Sequence, residues 1–395
     1  MKILHCSDLH LGRRPVGGIG EYSGSRFNDY FYSFHHIADY AVQNSVDTVI
    51  ISGDIFDRRE ITPEILERAE QVFIKLKESG IAAVIAEGNH DRGGSNDSTW
   101  LNYLVHRKLV HMPSVTINED NNYIFEPVVI DGIQFYSMGY PGIYIEEMSR
   151  SLVEVLDSEK SNIVLVHTAV SANDHYPGTV TPGVIDLFKG KALYIAGGHF
   201  HSYHQYPEKE PYFFVPGSPE YWDISERDDK FFIVFDTADG THDKINTSRR
   251  KRIEIQHSFT SKSDIEFEHE FDSWLSVLAV EKDSVVICLF RIEDSLYPDG
   301  PACEKKIESA GALKAKVSFA YDRPVSDTGL LNEQAVTTES IELENFTGSG
   351  YSAETAVKIV NTYLPELKKM QIEDQSGDIA FELVDRMIEE LIRGK

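Results

Sequence analysis

Five short apolar runs in the first 245 residues end in acidic, amide or imidazole side chains. The runs are KILHC, DTVIIS, AAVIA, IVLVH and LYIAG, and their ends carry SDLH, GDIFD, GNHD, a terminal His and GHFH, respectively. Short continuous apolar runs predict strands covered on both faces, as in a parallel sheet. The carboxyl ends of such strands are where open α/β sheets bind ligands. We therefore predict that these polar groups meet at one edge.

The first motif, SDLH, places Asp8 and His10 two residues apart after the strand predicted for Lys2 to Cys6. If the extended geometry continues, both side chains leave the same face of the chain. A polar loop with one hydrogen-bonded histidine is the alternative that this motif alone leaves open. The other strand ends are needed to decide between the two.

Helical patterns separate the apolar runs, which indicates an α/β fold. Helices are predicted at 26–43 and 63–77, and Phe231 to Phe235 is predicted as a closing strand. The Gly-rich segment 13–25 has no periodicity and its glycines do not match a P-loop, so we expect a surface loop there.

The patterning divides the chain into four segments. The α/β domain is placed at 1–245, and the polar residues 246–263 are predicted to be a linker. Residues 264–348 mix strand signals with short helices, which suggests a small α+β domain. Residues 349–395 contain two amphipathic helical patterns, which either pack on their own domain or bind a partner.

The net charge of −26 argues against a nucleic-acid binder that works through a broad basic surface. It does not exclude a nucleic-acid binder, because two cations bound at a metal site would reverse the electrostatic field there. The dense basic run Arg249 to Arg252 is interpreted as a solvated linker, with phosphate contact or a localisation signal as alternatives.

The composition also bears on the cellular environment. No apolar run approaches the ~20 residues that a membrane span needs, and the polar residues after KILHC argue against a signal peptide. Cys6, Cys288 and Cys303 are too scattered for a disulfide framework or a Cys-based zinc site. We expect a reducing compartment and no membrane association.

The strand ends together supply a coherent set of oxygen and nitrogen donors. The seven donors are Asp8, His10, Asp54, Asn89, His167, His199 and His201. Seven exceed the needs of one cation, whereas two cations that share a bridging carboxylate would use them all, and Asp54 is the predicted bridge. Two-metal sites clamp the attacking and leaving oxygens of an in-line phosphoryl displacement. Carboxylate, amide and imidazole ligands without thiolate favour manganese, with iron or zinc as alternatives.

Three further residues are catalytic candidates. His90 follows the proposed ligand Asn89 and is expected to face the scissile phosphate and donate to one of its oxygens. A structural role behind the ligands is the alternative for His90. Asp91 is expected to orient or charge His90. Asp57 is interpreted either as a residue that orients a ligand or as a loop carboxylate.

The ordered motifs D-x-H, GD-x-x-D, GNHD, a strand-end His and GH-x-H resemble those of the calcineurin-like metallophosphoesterase superfamily. The fuller wording ILHCSDLHLG, GDIFD and VPGSPEYWDISE is similar to its DNA-repair branch, the SbcD-type nucleases related to the meiotic recombination nuclease. The match covers residues 1–240. The remaining residues resemble the family only in the arrangement of their predicted segments. The resemblance implies a sandwich of sheets flanked by helices, with a DNA-capping domain at 264–348 and a C-terminal helical hairpin at 349–395.

The resemblance also implies how the donors are divided and what they do. One manganese would be held by Asp8, His10, Asp54 and His201, and the other by Asp54, Asn89, His167 and His199. His90 would act on the phosphate in 3′ to 5′ exonuclease and single-strand endonuclease reactions of DNA double-strand break repair. Some relatives carry His at the position of Asp57, a position tied to duplex exonuclease work, which leaves the balance of the two activities open.

Partners are implied in the same way. The C-terminal helices would bind an SbcC-type ABC ATPase. A homodimer would pair through 63–77 and 98–105, the second of which carries Trp100, Leu101, Tyr103 and Leu104. Packing of these groups against the chain's own sheet is the alternative. The expected location is cytoplasmic and nucleoid-associated, or nuclear in a eukaryote.

Two other functions are open from the sequence. A metallophosphoesterase acting on a small phosphodiester or a phosphoprotein would use the same site and would fit the acidic charge better. It would leave the roughly 150 residues beyond the first domain without an obvious role. A scaffold that has lost catalysis is the second alternative, although no ligand position is missing.

Overall fold

The computed structural model describes residues 1–15, 20–93, 98–171, 178–224, 226–322 and 353–363. Met1–Arg323 form one compact unit, and Pro324–Lys395 form a second. Within the described residues, no helix has both the length and the apolar character that crossing a bilayer requires.

Strands and helices alternate along most of the chain and are numbered in chain order. The strands are β1 (Lys2–Cys6), β2 (Thr48–Ser52), β3 (Ala82–Ala86), β4 (Ser114–Ile117), β5 (Tyr123–Glu126), β6 (Val128–Ile130), β7 (Ile133–Gly139), β8 (Ser161–Val166), β9 (Ala169–Val170), β10 (Thr179–Val180), β11 (Tyr194–Ala196), β12 (His204–Tyr206), β13 (Phe213–Val215), β14 (Phe231–Asp236), β15 (His242–Asn246), β16 (Arg252–Ser258), β17 (Val285–Glu293) and β18 (Lys314–Asp322). The helices are α1 (Glu21–Gln43), α2 (Pro63–Glu78), α3 (Trp100–His106), α4 (Ile145–Val155), α5 (Pro182–Ile185), α6 (Asp264–Val277), α7 (Gly300–Ser309) and α8 (Ala353–Lys358), with 3₁₀ turns at Gly142–Tyr144 and Asp186–Phe188 and a π-helical turn at Ile359–Tyr363.

Two mixed sheets form the centre of the first unit. The first has the order β15-β14-β1-β2-β3, in which β1, β2 and β3 run parallel and β14 and β15 are antiparallel to their neighbours. The second has the order β12-β13-β11-β8-β7-β6, in which the four central strands run parallel. The predicted α/β class is confirmed.

The two sheets pack face to face, and helices cover both outer faces. Ile50 of β2, Leu165 of β8 and Phe214 of β13 belong to the core between the sheets. The other face of the first sheet packs against α1, α2 and α3, and that of the second packs against α4 and α5. Because both faces of β2 are covered, all five of its residues are buried.

The two helices predicted between the first strands are present. α1 begins at Glu21, five residues before the predicted start, so the last part of the predicted loop 13–25 is helical. α2 has Pro63 at its first position, where the missing N–H would have had no partner in the helix.

A third sheet, β16-β17-β18, changes the interpretation of the segment after residue 245. β16 lies within the predicted linker 246–263, so that prediction is wrong for Arg252–Ser258. The sequence RIEIQHS alternates apolar and polar residues, as a half-exposed edge strand does. The three strands run parallel and alternate with α6 and α7. This is an α/β arrangement rather than the predicted α+β, and a domain boundary near 245 stays a prediction.

The predicted C-terminal helices lie mostly outside the described residues. α8 and the π-helical turn after it fall within the first predicted helical pattern. Ile359 and Val360 are buried there. The second pattern, Ile379 to Leu391, lies outside the described residues, so partner binding by this segment stays a prediction.

The apolar groups predicted for a dimer face are divided between the core and the surface. Leu101 and Leu104 of α3 are buried in the same core as α1 and α2. Trp100 is 38% exposed, and Tyr103 packs partly against that core. The prediction that Leu101 and Leu104 lie on an exposed patch is wrong, because a helix beside a parallel sheet buries one face in its own domain.

A buried histidine links the two sheets. Nδ1 of His5 lies 2.8 Å from the hydroxyl of Tyr194, and Nε2 lies 2.7 Å from Oγ of Ser52. Burial lowers the pKa of His5 to about 3. The folded protein therefore keeps this ring neutral under conditions in which the unfolded chain protonates it.

Acidification is therefore expected to lower the free energy of unfolding. Since the folded pKa lies below the unfolded value of 6.5, the unfolded state binds more protons between these values and stability falls as the pH drops below 6.5. His5→Gln keeps polar atoms without titrating, and should reduce the loss on going from neutral pH to about pH 5 by roughly 2 kcal/mol. Urea unfolding of both proteins at the two pH values measures this difference. Equal losses would contradict the assignment to His5.

Candidate metal centre

The seven predicted donors come together in the structure at the carboxyl ends of five strands. Asp8 and His10 follow β1, Asp54 follows β2, Asn89 follows β3, His167 follows β8, and His199 and His201 follow β11. β1, β2 and β3 belong to the first sheet, whereas β8 and β11 belong to the second. The site therefore lies where the ends of two facing sheets meet, and not at the edge of one sheet as the sequence suggested.

The backbone is left-handed at four of the donors. The φ angles of Asp8, His10, Asp54 and His199 are 53°, 43°, 52° and 77°, in a region that non-glycine residues seldom adopt. The extended geometry considered for SDLH therefore does not continue past the strand. Hydrogen bonds from the amide of Asp8 to the carbonyl of Gly53 (3.1 Å) and from His10 to Asp54 (3.0 Å) hold the turns together. Strain of this kind is concentrated at functional sites.

Asp8, His10 and His201 form one candidate group for a cation. One donor atom of each lies within 4.8 Å of the others. The Nε2 atoms of His10 and His201 are 3.2 Å apart, and His10 Nε2 is 3.7 Å from Oδ2 of Asp54. A neutral imidazole offers one lone pair, so two ring nitrogens that face each other suit a shared cation.

A second candidate group contains Asp8, Asp54 and His167. Oδ2 of Asp54 is 3.2 Å from Nε2 of His167. Oδ1 of Asn89 lies 3.1 Å from that nitrogen and 3.1 Å from Nδ1 of His199. His167 Nδ1 donates to the carbonyl of Ser52 at 2.8 Å, which leaves Nε2 free to bind a metal. Asp54 therefore faces both groups, as a bridging carboxylate would.

The electrostatics of the two carboxylates fit a cation. Asp8 and Asp54 are buried, and no Lys or Arg among the described residues forms an ion pair with either. Burial raises the pKa of Asp8. Burial opposes ionisation of Asp54 too, but the hydrogen-bonded His167 holds the pKa of Asp54 well below its usual range, and Asp54 in turn raises the pKa of His167 to about 9 against the effect of burial. Buried anions of this kind need a cation or a proton, and the surrounding O and N donors suit a metal ion.

Two glycines allow the donors to approach. A Cβ added at Gly53 would overlap the ring of His167, and one added at Gly88 would overlap the amide nitrogen and the carboxylate of Asp54. These contacts give a physical reason for glycine in GDIFD and GNHD.

Gly88→Ala is expected to displace the Asp54 carboxylate and to weaken metal binding by at least about tenfold, as changes beside metal ligands usually do. Calorimetric titration of the metal measures this. Gly183→Ala is the matched control, because nothing lies within 4 Å of a Cβ added there. Unchanged affinity in Gly88→Ala would show that Asp54 does not need this close contact.

Residues 1–203 match the sequence model of the calcineurin-like phosphoesterase family. The chain belongs to this family. The matched segment contains the seven donors and His90, so the whole candidate centre lies within the part of the chain that matches the family.

Several curated relatives of this phosphoesterase are named DNA double-strand break repair protein Mre11. The one from Aeropyrum pernix is 26% identical over 246 residues, 57% of this chain and 58% of the relative. The one from Methanosarcina mazei is 27% identical over 328 residues, 81% of this chain and 50% of the relative. The uncharacterized metallophosphoesterase YhaO of Bacillus subtilis is 25% identical over 244 residues, 61% of this chain and 58% of the relative. The chain thus spans about half to three-fifths of the length of these relatives.

Among solved structures, TT1561 of Thermus thermophilus aligns with 62% of this chain and 98% of its own, at 11% identity and a TM-score of 0.38.

His90 lies beside the donors of this phosphoesterase with its ring partly open to solvent. Its side chain is 33% exposed, and Nε2 is 4.0 Å from Oδ2 of Asp54. Nδ1 donates to the carbonyl of Asp57 at 2.7 Å, so Nε2 is the nitrogen directed toward the centre. His90 also lies in one group with His10 and Asp57 whose donor atoms are within 4.8 Å of one another, which makes ligation the competing role.

Asp91 does not contact the ring of His90 in the way that the sequence suggested. Its carboxylate accepts hydrogen bonds from the amides of Ile55 (3.1 Å), Phe56 (2.9 Å) and Gly88 (3.1 Å). Burial and the nearby Asp54 raise the pKa of Asp91 to about 7. Asp91 therefore ties the GDIFD turn to the GNHD turn, and the group that orients His90 is the carbonyl of Asp57.

Asp57 lies near the proposed ligand His10. Its Oδ1 is 3.8 Å from Nδ1 of His10 and 3.3 Å from Nη1 of Arg13. A separation of 3.8 Å is too long for a hydrogen bond, and Nδ1 of His10 has no hydrogen-bond partner among the described residues. Both interpretations of Asp57 offered by the sequence therefore stay predictions.

Residues of the PEYWDISE segment complete the surroundings and were not singled out from the sequence. The ring of Trp222 has its centre 4.8 Å from that of His201. Glu226 lies 3.4 Å from Nδ1 of His201 and 2.5 Å from Nζ of Lys230. Burial alone would raise the pKa of Glu226, but hydrogen bonds from His201 and Lys230 lower it to about 2. The resemblance of the segment to a family motif was the available signal.

The basic run Arg249 to Arg252 is neutralised within the chain. Arg250 pairs with Asp29 through Nε (2.6 Å) and Nη2 (2.7 Å). The other three residues of the run form ion pairs with Asp229, Glu281 and Glu254. The run is thus neither a free linker nor an open phosphate site.

Proposed function

We propose that the chain is a two-metal-dependent DNA nuclease of double-strand break repair, with 3′ to 5′ exonuclease and single-strand endonuclease activity. The observation that carries the proposal is the convergence of seven O and N donors around Asp54, which faces both His10 and His167. Two adjacent cation groups suit in-line displacement at a phosphodiester. The name Mre11 of several relatives supports DNA as the substrate.

The donors would be shared between the two cations through Asp54. One set is Asp8, His10, Asp54 and His201, and the other is Asp54, Asn89, His167 and His199. Manganese is the first expected metal, with iron or zinc as alternatives, because the set has no thiolate. Bound cations would neutralise charge on the phosphate and make a coordinated water more acidic.

The chain's own groups would position the phosphate and supply a proton. With both ring nitrogens protonated, His90 would donate from Nε2 to a phosphate oxygen or to the leaving oxygen, while its Nδ1–H stays hydrogen-bonded to the carbonyl of Asp57. Asp91 would keep the two ligand-bearing turns in register through its three amide contacts. Asp57 would act on the ring of His10 only electrostatically, since its Oδ1 is 3.8 Å from Nδ1.

Two arginines lie near the candidate metal centre of this chain, whose net charge is −26. Arg58 is 76% exposed and lies 3.5 Å from Asp57. Arg92 is exposed and lines a cavity of about 410 Å³ together with Glu87, Thr99 and Asn102. Asp57 and Glu87 offset part of this positive charge, so attraction of a DNA strand to the centre would depend mainly on the bound cations.

Partners and location follow from the same proposal. The sheet β16-β17-β18 with α6 and α7 would be the DNA-capping domain, and the C-terminal segment would bind an SbcC-type ABC ATPase. A homodimer through α2 and α3 would have to use Trp100 and Tyr103, since Leu101 and Leu104 are buried. Action on DNA would place the protein at the nucleoid in the cytoplasm, or in the nucleus of a eukaryote.

The second candidate is a phosphoesterase for a small phosphodiester or a phosphoprotein. The strongly acidic composition is the observation that favours it, because a small or protein substrate is repelled less by the negative charge of the chain than DNA is. The same donors and the same His90 would serve both reactions.

The purified chain with manganese is expected to cleave 3′-labelled duplex and single-stranded DNA into a product ladder that a chelator abolishes. A phosphopeptide offered at the same concentration should be turned over far more slowly. Preference for the phosphopeptide, or DNA left intact while the peptide is hydrolysed, would select the second candidate.

A further inference from the structure

An arginine and a tryptophan outside the donor set lie against it. The guanidinium carbon of Arg13 is 3.1 Å from the centre of the Trp222 ring. The centre of that ring is 4.2 Å from the ring of His10 and 5.6 Å from the ring of His90. The pair therefore adjoins both a proposed ligand and the residue proposed to meet the phosphate.

Hydrogen bonds hold Arg13 and Trp222 in this arrangement. Arg13 Nη1 is 3.3 Å from Oδ1 of Asp57, and Arg13 Nε donates to the carbonyl of Trp222 at 3.3 Å. The amide of Trp222 donates to Glu226 at 3.2 Å. These bonds hold the planar guanidinium of Arg13 in place. It is therefore pre-organised for a ligand, since little side-chain freedom is lost on binding.

The pair is more accessible than the ligands behind it. The side chain of Arg13 is 19% exposed and that of His10 is 1% exposed, and Trp222 is half-buried. The indole covers one face of the guanidinium, so a ligand that stacks on Arg13 would have to lie on the opposite face. Nucleobases stack on arginine planes and aromatic rings in proteins that bind single strands.

We propose that Arg13, backed by Trp222, stacks on the nucleobase next to the scissile phosphate. This inference rests on the proposed nuclease function and deepens it, because it makes a nucleotide the unit that the site recognises. The positive charge of Arg13 would attract the phosphate, while its plane would distinguish a base from a bare sugar phosphate.

Calorimetric binding to the full chain loaded with manganese tests the proposal. The probes are thymidine 5′-monophosphate and thymidine 3′-monophosphate, each compared with the 2-deoxyribose phosphate that lacks the base. For at least one pair, the base is expected to strengthen binding by about 5- to 100-fold in the wild-type chain. Arg13→Lys keeps the charge but removes the plane, so it should reduce this ratio to about twofold or less.

A second variant and a control separate stacking from structure. Trp222→Leu should lower the same ratio, because the guanidinium loses its support. Arg107→Lys is the control, since Arg107 lies 5.8 Å from the ring of Tyr103 on α3 and touches none of the donors in the contacts of the described residues. A merely structural role of Arg13 or Trp222 would weaken both probes of a pair equally.

The proposal is overturned if the wild-type chain binds both members of each pair equally, or if Arg13→Lys and Trp222→Leu keep the wild-type ratio. The nuclease proposal fails by a different result, namely intact DNA in the presence of manganese. The binding ratio does not depend on that result, so the two failures can be told apart.

Discussion

Asp54→Asn is expected to reduce manganese-dependent phosphodiester hydrolysis by at least about 10³-fold. Metal ions supply several kcal/mol of charge stabilisation, and each 1.4 kcal/mol changes the rate tenfold. Asp54 faces His10 at 3.7 Å and His167 at 3.2 Å, so its loss affects both cation groups. The rate with a chromogenic phosphodiester and the metal content of the same sample measure the effect.

Asp39→Asn is the matched control for this experiment. Asp39 lies on α1 and pairs with Lys75 away from the donors, so the variant should keep wild-type activity and metal content. A variant at Asp54 that retained two cations and near-normal turnover would remove the bridging role from this residue.

His90→Asn is expected to lower the rate by about 10²–10⁴-fold while both cations stay bound, because proton donation by a positioned side chain is worth that much. The ring contacts the carbonyl of Asp57 at 2.7 Å and approaches Asp54 only to 4.0 Å. The backbone amide of His90, which donates to Asp54 Oδ1 at 2.9 Å, is unchanged by the substitution. Turnover and metal content of the purified variant are the measurements.

His106→Asn serves as the control, since His106 is an exposed residue in the last turn of α3. Its rate should match that of the wild-type chain. If the metal content of His90→Asn fell together with its activity, His90 would be a ligand, in the group that it forms with His10 and Asp57.

The donor set could be predicted from the sequence because each member follows a buried strand. DTVIIS and IVLVH are similar apolar runs, so the polar residues at their ends are both predicted to be donors. The patterns do not say that the strands belong to two sheets, because both are covered on two faces. The meeting of Asp54 with His167 across the sheets is a long-range property of packing.

Residues that support the donors carried a weaker signal. Glu226 contacts His201, and Trp222 contacts His10 and His201, only because the fold returns the chain to the centre after β13. Asp91 was assigned to its neighbour His90, although its carboxylate reaches amides on another turn. Their adjacency in the sequence predicts His90 as the partner of Asp91. The actual partners are backbone amides, which no pattern of side chains can indicate.

Helical amphipathicity likewise could not say what covers an apolar face. Leu101 and Leu104 have the spacing of an interface helix, and they pack in the chain's own core. The strand β16 was missed for a related reason, since its alternating residues look polar overall. In both cases the tertiary neighbour decides the outcome.

The number of bound manganese ions and the coupling between them test the central claim most directly. Electron paramagnetic resonance of the full chain during a manganese titration reports both quantities. If two cations share the seven donors and Asp54 bridges them, each chain should bind two manganese ions with an exchange-coupled spectrum. Asp54→Asn should then abolish the coupling. A single ion per chain, or two ions with the spectrum of isolated manganese in the wild-type protein, would contradict the two-metal centre.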